Sequence, residues 1–300
     1  MRRACGWAGR WGTRLLSALL VLGCSLACSD AGSGDDESDT LFGSTVWQAP
    51  GETPADALQR VDGTYGPIDV ARLYSEGLPP SWADLETEVG DRPLVVSFKA
   101  APATVLSGDV DDELEAWFAE APVDRDTWWV YFHEPEDDVE AGDFSAADFR
   151  AAWTHVAKIA EQVDNPRLHA TVVLMCWTVS PDSGRDWHDY APPAELVEVL
   201  AWDCYAHGDT ADSYTPPDQL LGPAVAAADE LGADWGIGET GARVAPGQDS
   251  AGRAQWLTDL GAYAREHDAR FVTYFDSPGG GNFQLEDTTS IDAWAELVSG

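Results

Sequence analysis

Positive charge is what this sequence has least of. Lysine occurs only as Lys99 and Lys158, and lysine plus arginine total 17 against 53 acidic residues, for a formal charge of −36. Nucleic acids and anionic membrane surfaces need a positive face, so the balance argues against both as partners. No Gly-x-Gly-x-x-Gly follows the first strand-like segment, which argues against a dinucleotide-binding open sheet. No His/Cys/Asp spacing resembles a metal site and no Ser-His-Asp arrangement stands out, so no cofactor or metal is implied. Internal repeats beyond a βα unit are missing, as is any sign of a second domain.

Long apolar runs are also scarce. The one near the start, Leu15-Leu16-Ser17-Ala18-Leu19-Leu20-Val21-Leu22, follows a basic leader of Arg2, Arg3, Arg10 and Arg14. It is too short to span a bilayer and fits the apolar part of a secretory signal. Val21-Leu22-Gly23-Cys24 resembles the lipobox of bacterial lipoproteins, in which the cysteine becomes the lipidated first residue. Cys28 is the weaker choice, and a plain signal cleaved after about Ala27 is the alternative. Residues 1–23 are therefore expected to be a signal peptide, and residues 24–42, small and acidic, a flexible tether. The expected location is outside the cell, with the domain held to the outer face of a bacterial membrane only by the lipid on Cys24.

From residue 43 to residue 300 strand-like and helix-like segments alternate. The strands are expected at Thr45–Ala49, Ile68–Tyr74, Leu94–Lys99, Trp128–His133, His169–Trp177, Val199–Tyr205, Trp235–Gly238 and Arg270–Phe275. Helices are expected at Thr53–Val61, Ser81–Val89, Val110–Ala119, Ala146–Val163, Ala194–Val199, Asp218–Leu231, Ala251–His267 and Ser290–Val298. Thr53-Pro54 and Ser145 are fitting starts. Such alternation implies a parallel sheet, and the length matches the ~250 residues of a single-domain α/β fold, the (β/α)8 or TIM barrel.

Chemistry in such barrels sits at the C-terminal ends of the strands. Trp128-Trp129-Val130-Tyr131-Phe132 runs into His133-Glu134-Pro135-Glu136, and Pro135 is expected to end the strand with Glu134 in extended backbone. Trp235-Gly236-Ile237-Gly238 runs into Glu239, where the glycines permit close approach of neighbours. Two carboxylates at one mouth are the equipment for cutting a glycosidic bond, one protonated to donate and one ionised to attack. A shared, partly dry pocket pushes their pKa values apart.

Glutamates after strands four and seven resemble the largest clan of retaining glycosidases, in most of which asparagine precedes the acid/base glutamate. Here that place holds His133, and Trp202-Asp203-Cys204-Tyr205 on strand six matches an Asp-x-Tyr pattern. On these three motifs the chain resembles glycoside hydrolase family 26, a family of β-mannanases with some β-xylanases and mixed-linkage β-glucanases. The resemblance implies Glu134 as general acid/base and Glu239 as nucleophile. It also implies that His133 and Asp203 hold the sugar and that Tyr205 positions Glu239. The partner is then a polysaccharide or oligosaccharide, β-mannan ahead of β-xylan or β-glucan. Two departures bear on sugar specificity. Pro135-Glu136 replaces the usual methionine and asparagine, and strand eight ends Tyr274-Phe275-Asp276-Ser277 where the wider clan often has tryptophan.

Other residues near the mouth are less specific. Trp177 is placed to stack a sugar or to fill the core, and Arg72 to hold the nucleophile ionised or to form a structural ion pair. Lys99 ends strand three, and Trp187, His188 and His207 lie in loops above the mouth. Cys176 and Cys204 end adjacent strands in an exported chain, yet parallel-strand geometry often forbids a bridge, which favours unpaired thiols. The rival readings are a surface lipoprotein that binds carbohydrate without turnover and a structural lipoprotein of the envelope.

Overall fold

Runs of β-branched and aromatic residues flanked by proline, glycine and acidic residues form the strands, and the segments between them carry the helices. The computed structural model describes residues 39–206, 214–245, 247, 249–279, 281 and 283–300. Eight parallel strands close into a barrel in sequence order, with β1 (Leu41–Thr45) pairing both β2 (Val70–Glu76) and β8 (Phe271–Tyr274). Between them lie β3 (Leu94–Lys99), β4 (Thr127–Tyr131), β5 (Leu168–Met175), β6 (Val199–Ala206) and β7 (Asp234–Ala242). This is the expected (β/α)8 barrel.

The helices are α1 (Pro54–Tyr65), α2 (Trp82–Val89), α3 (Pro102–Ser107), α4 (Asp111–Ala119), α5 (Pro135–Ala141), α6 (Ala146–Ala160), α7 (Pro217–Leu231), α8 (Ala251–Glu266) and α9 (Thr288–Val298). Thr53 and Ser145 start α1 and α6 through reciprocal bonds with Asp56 and Asp148, the capping box. Strand alternation divides the apolar residues into two cores. Val70, Val95, Trp128, Val130, Val173, Val199, Ala201 and Phe271 fill the lower barrel, while a larger cluster packs the sheet against the helices. One pleat further along β2, β3 and β6, the inward positions turn polar: Arg72, Ser97 and Asp203 are all buried.

Several boundaries differ from expectation. The first strand begins at Leu41, inside the segment read as tether, because Phe42 is fully buried and packs edge-on against Trp294. Trp47 consequently stands in a loop above the barrel rather than in a strand. The helix expected at Ala194–Val199 is only a three-residue 3-10 turn, Ala194–Leu196, since Val197 is already extended and the chain enters β6 at Val199. The β5–β6 connection among the described residues holds two more such turns, Cys176–Val179 and Trp187–Asp189, and no α-helix. Cys176 and Cys204 are joined, correcting the expectation of free thiols. Met175 pairs with Asp203, and the chain leaves the strand at Cys176, so the next residues come within a Cα separation of 5.0 Å, inside the range a disulfide spans.

Candidate active site

The end of β4 does not run straight out of the barrel. Phe132 and Glu134 both have left-handed backbone, with φ of 56° and 48°. For residues with a Cβ this conformation costs about 1–2 kcal/mol each, so surrounding contacts must hold it. The Phe132 amide donates to Phe98 and the Glu134 amide to Val173, each bridging to a neighbouring strand. Pro135 then opens α5 at its first position. The extended Glu134 expected from the proline is thus corrected: the sharp double turn points His133 and Glu134 back over the mouth.

Glu239 reaches the same mouth by a different device. Trp202 pairs with Ile237, but Asp203 pairs with Glu239, so Gly238 is an extra residue, a bulge in β7. A slip of one residue exchanges the two faces of a strand. Simple alternation from the outward Ile237 would aim Glu239 at the helices; the bulge turns it into the barrel. A Cβ on residue 238 would lie 2.7 Å from Asp203 Oδ1 and 3.1 Å from Val173 Cγ1, so any larger residue there would have to displace Asp203. Strand seven therefore extends through Glu239 to Ala242 instead of ending at Gly238.

Glu134 and Glu239 line one cavity of about 980 Å³, together with His133, Asp203, Tyr205 and Trp177. A donor and a cation face Glu239: the Tyr205 hydroxyl donates to its Oε2 at 2.5 Å, and the Arg72 guanidinium lies 3.8 Å from its Oε1. Glu134 faces other acids. Burial, then the charges of Glu239 and Glu136, push its carboxyl up to about 8, against the weaker opposing pull of Lys99. Asp203 is raised well above the usual carboxylate range by burial and by the charges of Glu239 and Glu134. Neither of its oxygens has a hydrogen-bond partner among the described residues. His133 is held neutral by burial, with Arg72 and Lys99 adding to the effect, and its ring packs on Tyr74 with centroids 5.3 Å apart.

Arg72 is fully buried and lies beneath Glu239, not against the cavity. Its Nη1 donates to Ser97 Oγ at 2.5 Å, and its guanidinium sits 4.3 Å from the Tyr74 ring centre. Trp177, with 51% of its surface exposed, is the one exposed tryptophan among the described residues and stands on the cavity wall. Lys99 also lines the cavity, 3.8 Å from Asp138. Trp187 and His188 lie away from it; Trp187 is buried, and His188 stacks on it between Asp186 and Glu230. Cys24 and His207 fall outside the described residues. Phe275, in the strand-eight end noted as a departure, lines the cavity, as do Trp47 and Phe283, which the sequence had not singled out. For Trp47 the misplaced first strand hid it, whereas nothing local marks Phe283.

No protein-family model and no curated protein matches the sequence. Solved structures do. The family 26 β-mannanase of Bacteroides ovatus superposes with a TM-score of 0.56 at 12% identity, over 88% of this chain and 89% of that one. A family 26 protein of a Muricauda species gives 0.58 at 13%, over 88% and 86%. A glucosidase from Croceicoccus marinus gives 0.59 at 12%, over 86% and 67%. This chain has a glycosidase-like (β/α)8 fold resembling that of the glycoside hydrolase family 26 β-mannanases.

Proposed function

We propose that the protein is a retaining glycoside hydrolase of family 26 type, acting on a β-linked polysaccharide, β-mannan ahead of β-xylan or β-glucan, and probing chains internally. The observation that carries this reading is the contrast within one cavity: Glu134 among acids and apolar groups, Glu239 beside a hydroxyl donor and a guanidinium. Glu134 donates its proton to the glycosidic oxygen as the Glu239 carboxylate attacks the anomeric carbon, so the leaving sugar departs neutral and a glycosyl ester forms. Water then attacks that carbon, giving its proton to Glu134 and releasing Glu239. This course requires the two carboxyl groups to lie about 5–5.5 Å apart. Asp203, with neither oxygen hydrogen-bonded among the described residues, is free to bond a sugar hydroxyl, and Trp177 offers an apolar ring face.

Export and attachment through Cys24 belong to the same reading. The Cys176–Cys204 bridge supports it, since disulfides persist in oxidising compartments. The test of function is reducing-end release by the purified chain from mannans, xylans and mixed-linkage β-glucans. Glu239→Ala should abolish it, and azide should restore turnover with a glycosyl azide as product. Intact hydrolysis by the variant would remove Glu239 from its role, and glycan affinity without hydrolysis would favour a binding protein.

A further inference from the structure

Glu136 departs from the family 26 pattern, and the mechanism above makes no use of it. It sits in the first turn of α5, one residue beyond Pro135, and is fully buried outside the cavity lining. Its Oε1 accepts from the Met175 amide at 2.9 Å and from the Thr178 hydroxyl at 2.7 Å. Its Oε2 has no hydrogen-bond partner among the described residues. A buried carboxylate with one oxygen unmet is a poor way to hold two segments together, because desolvation of the charge opposes folding.

We infer that Glu136 is a positioning residue that ties the start of α5, and with it Glu134, to the Cys176–Val179 turn carrying Trp177, and that its buried charge acts on Glu134. The inference rests on the reading of Glu134 as the proton donor. Two ties hold that turn, Glu136 from the α5 side and the Cys176–Cys204 bridge from β6. A ring face fixed relative to the acid presents a bound sugar's glycosidic oxygen at one place, where a small displacement would be costly to rate.

The charges around this pair come from several elements. Glu134 faces Glu239 of β7, Lys99 of β3, and Glu136 and Asp137 of its own helix, and it acts in turn on Asp203 of β6. Glu136 is approached by Arg185, which Asp137 and Glu140 hold at 2.9 and 2.7 Å. Its carboxyl is raised by burial and lowered by the Thr178 and Met175 bonds. Of the neighbours that raise Glu134, Glu239 reacts, whereas Glu136, whose effect exceeds that of Asp137, does not, so its charge can be removed without touching the nucleophile.

Two variants of the full chain separate the tie from the charge. Glu136→Gln keeps an accepting oxygen and removes the charge; Thr178→Val removes one donor and keeps the charge. With carbon-13 in the glutamate carboxyls, the resonance missing in Glu134→Gln identifies Glu134. Its midpoint should fall by roughly one pH unit in Glu136→Gln, the scale of two charges interacting at an effective dielectric near 20. In Thr178→Val, amides 175–179 should exchange at least about tenfold faster, as loss of one net hydrogen bond permits. An unchanged midpoint in the first would overturn the action on Glu134, and unchanged exchange in the second would overturn the tie. Neither measurement needs turnover, so an inactive wild-type chain would sink the hydrolase reading and leave both outcomes decisive.

Discussion

Two polar clusters, one around His169 at the N-terminal end of the barrel and one around Arg72 at the C-terminal end, hold the same kinds of ionisable residue in opposite circumstances. At the N-terminal end, His169 bonds Asp126 at 2.9 Å and Glu198 at 3.1 Å and stacks on Trp128. Arg167 grips both oxygens of the same Asp126, and Arg270 pairs with Asp234 at 2.6 Å. At the C-terminal end, Arg72 leaves Nε and Nη2 without hydrogen bonds, as do both Asp203 oxygens and His133 Nδ1, among the described residues. Left-handed Phe132 and Glu134 and the Gly238 bulge lie at that end too. The floor is not met throughout, since Arg125 Nε and Nη2 and Thr127 Oγ1 also lack hydrogen bonds among the described residues, but the His169 cluster is, whereas the polarity left unmet at the mouth stands where a ligand can meet it.

The comparison breaks most visibly at Glu134. Glu134→Gln should lower turnover by about 10²–10⁴-fold, the range for loss of general acid–base catalysis. In the wild type, activity should fall as pH rises through about 8, because the proton to be donated is then lost. That alkaline limb should vanish in the variant. A wild-type rate still flat at pH 10 would show that Glu134 donates no proton.

A smaller effect with an unusual sign is expected at Asp203. Its folded pKa lies well above the ordinary 3.8, so the folded state binds the extra proton. Stability therefore falls as pH rises from 3.8 towards the folded value, and at pH 7 the residue is a net burden. Asp203→Asn should raise Tm at pH 7, by about 2–4 °C for each kcal/mol relieved, while weakening hydrolysis. Thermal melts at pH 4 and pH 7 would check this, since the gain should shrink at the lower pH. A lower Tm at pH 7 would mean that Asp203 stabilises the fold.

Much of this was legible in the sequence because periodicity records burial. Trp128-Trp129-Val130 and Trp235-Gly236-Ile237 mark strands buried on both faces, and alternation with amphipathic helices implies the closed barrel. The place of Glu134 and Glu239 at the mouth was legible because proline and glycine punctuate the strand ends where they stand. What escaped was geometry with no local signature. The bulge at Gly238 depends on the register with β6, and left-handed Glu134 depends on bonds to Val173 and on the packing of Phe132. Nothing local marks the burial of Glu136, expected only to bear on sugar specificity, because its partners, Met175 and Thr178, lie about 40 residues away. Disulfide formation was misjudged because an ideal parallel ladder has no turn at Cys176.

The floor should respond the other way, and least. Burial opposes charge on His169, but its bonds to Glu198 and Asp126 outweigh that and raise its pKa above the ordinary 6.5. A histidine raised on folding contributes stability fully present below the unfolded value and lost as pH climbs through the folded one. The His169 contribution should thus be whole at pH 5.5 and fade from about pH 6.5 upward. His169→Asn keeps a polar group but cannot titrate, so the difference in Tm between wild type and variant should be largest at low pH. Its size should stay near 2–4 °C, roughly 1 kcal/mol, because the site is partly open to solvent that screens the pair. Hydrolysis at pH 6 should not change, since the ring lies at the far end of the barrel from the cavity. If His169→Asn stabilised the chain as Asp203→Asn is expected to, the floor would be as unmet as the mouth, and the division of labour between the two ends would be lost.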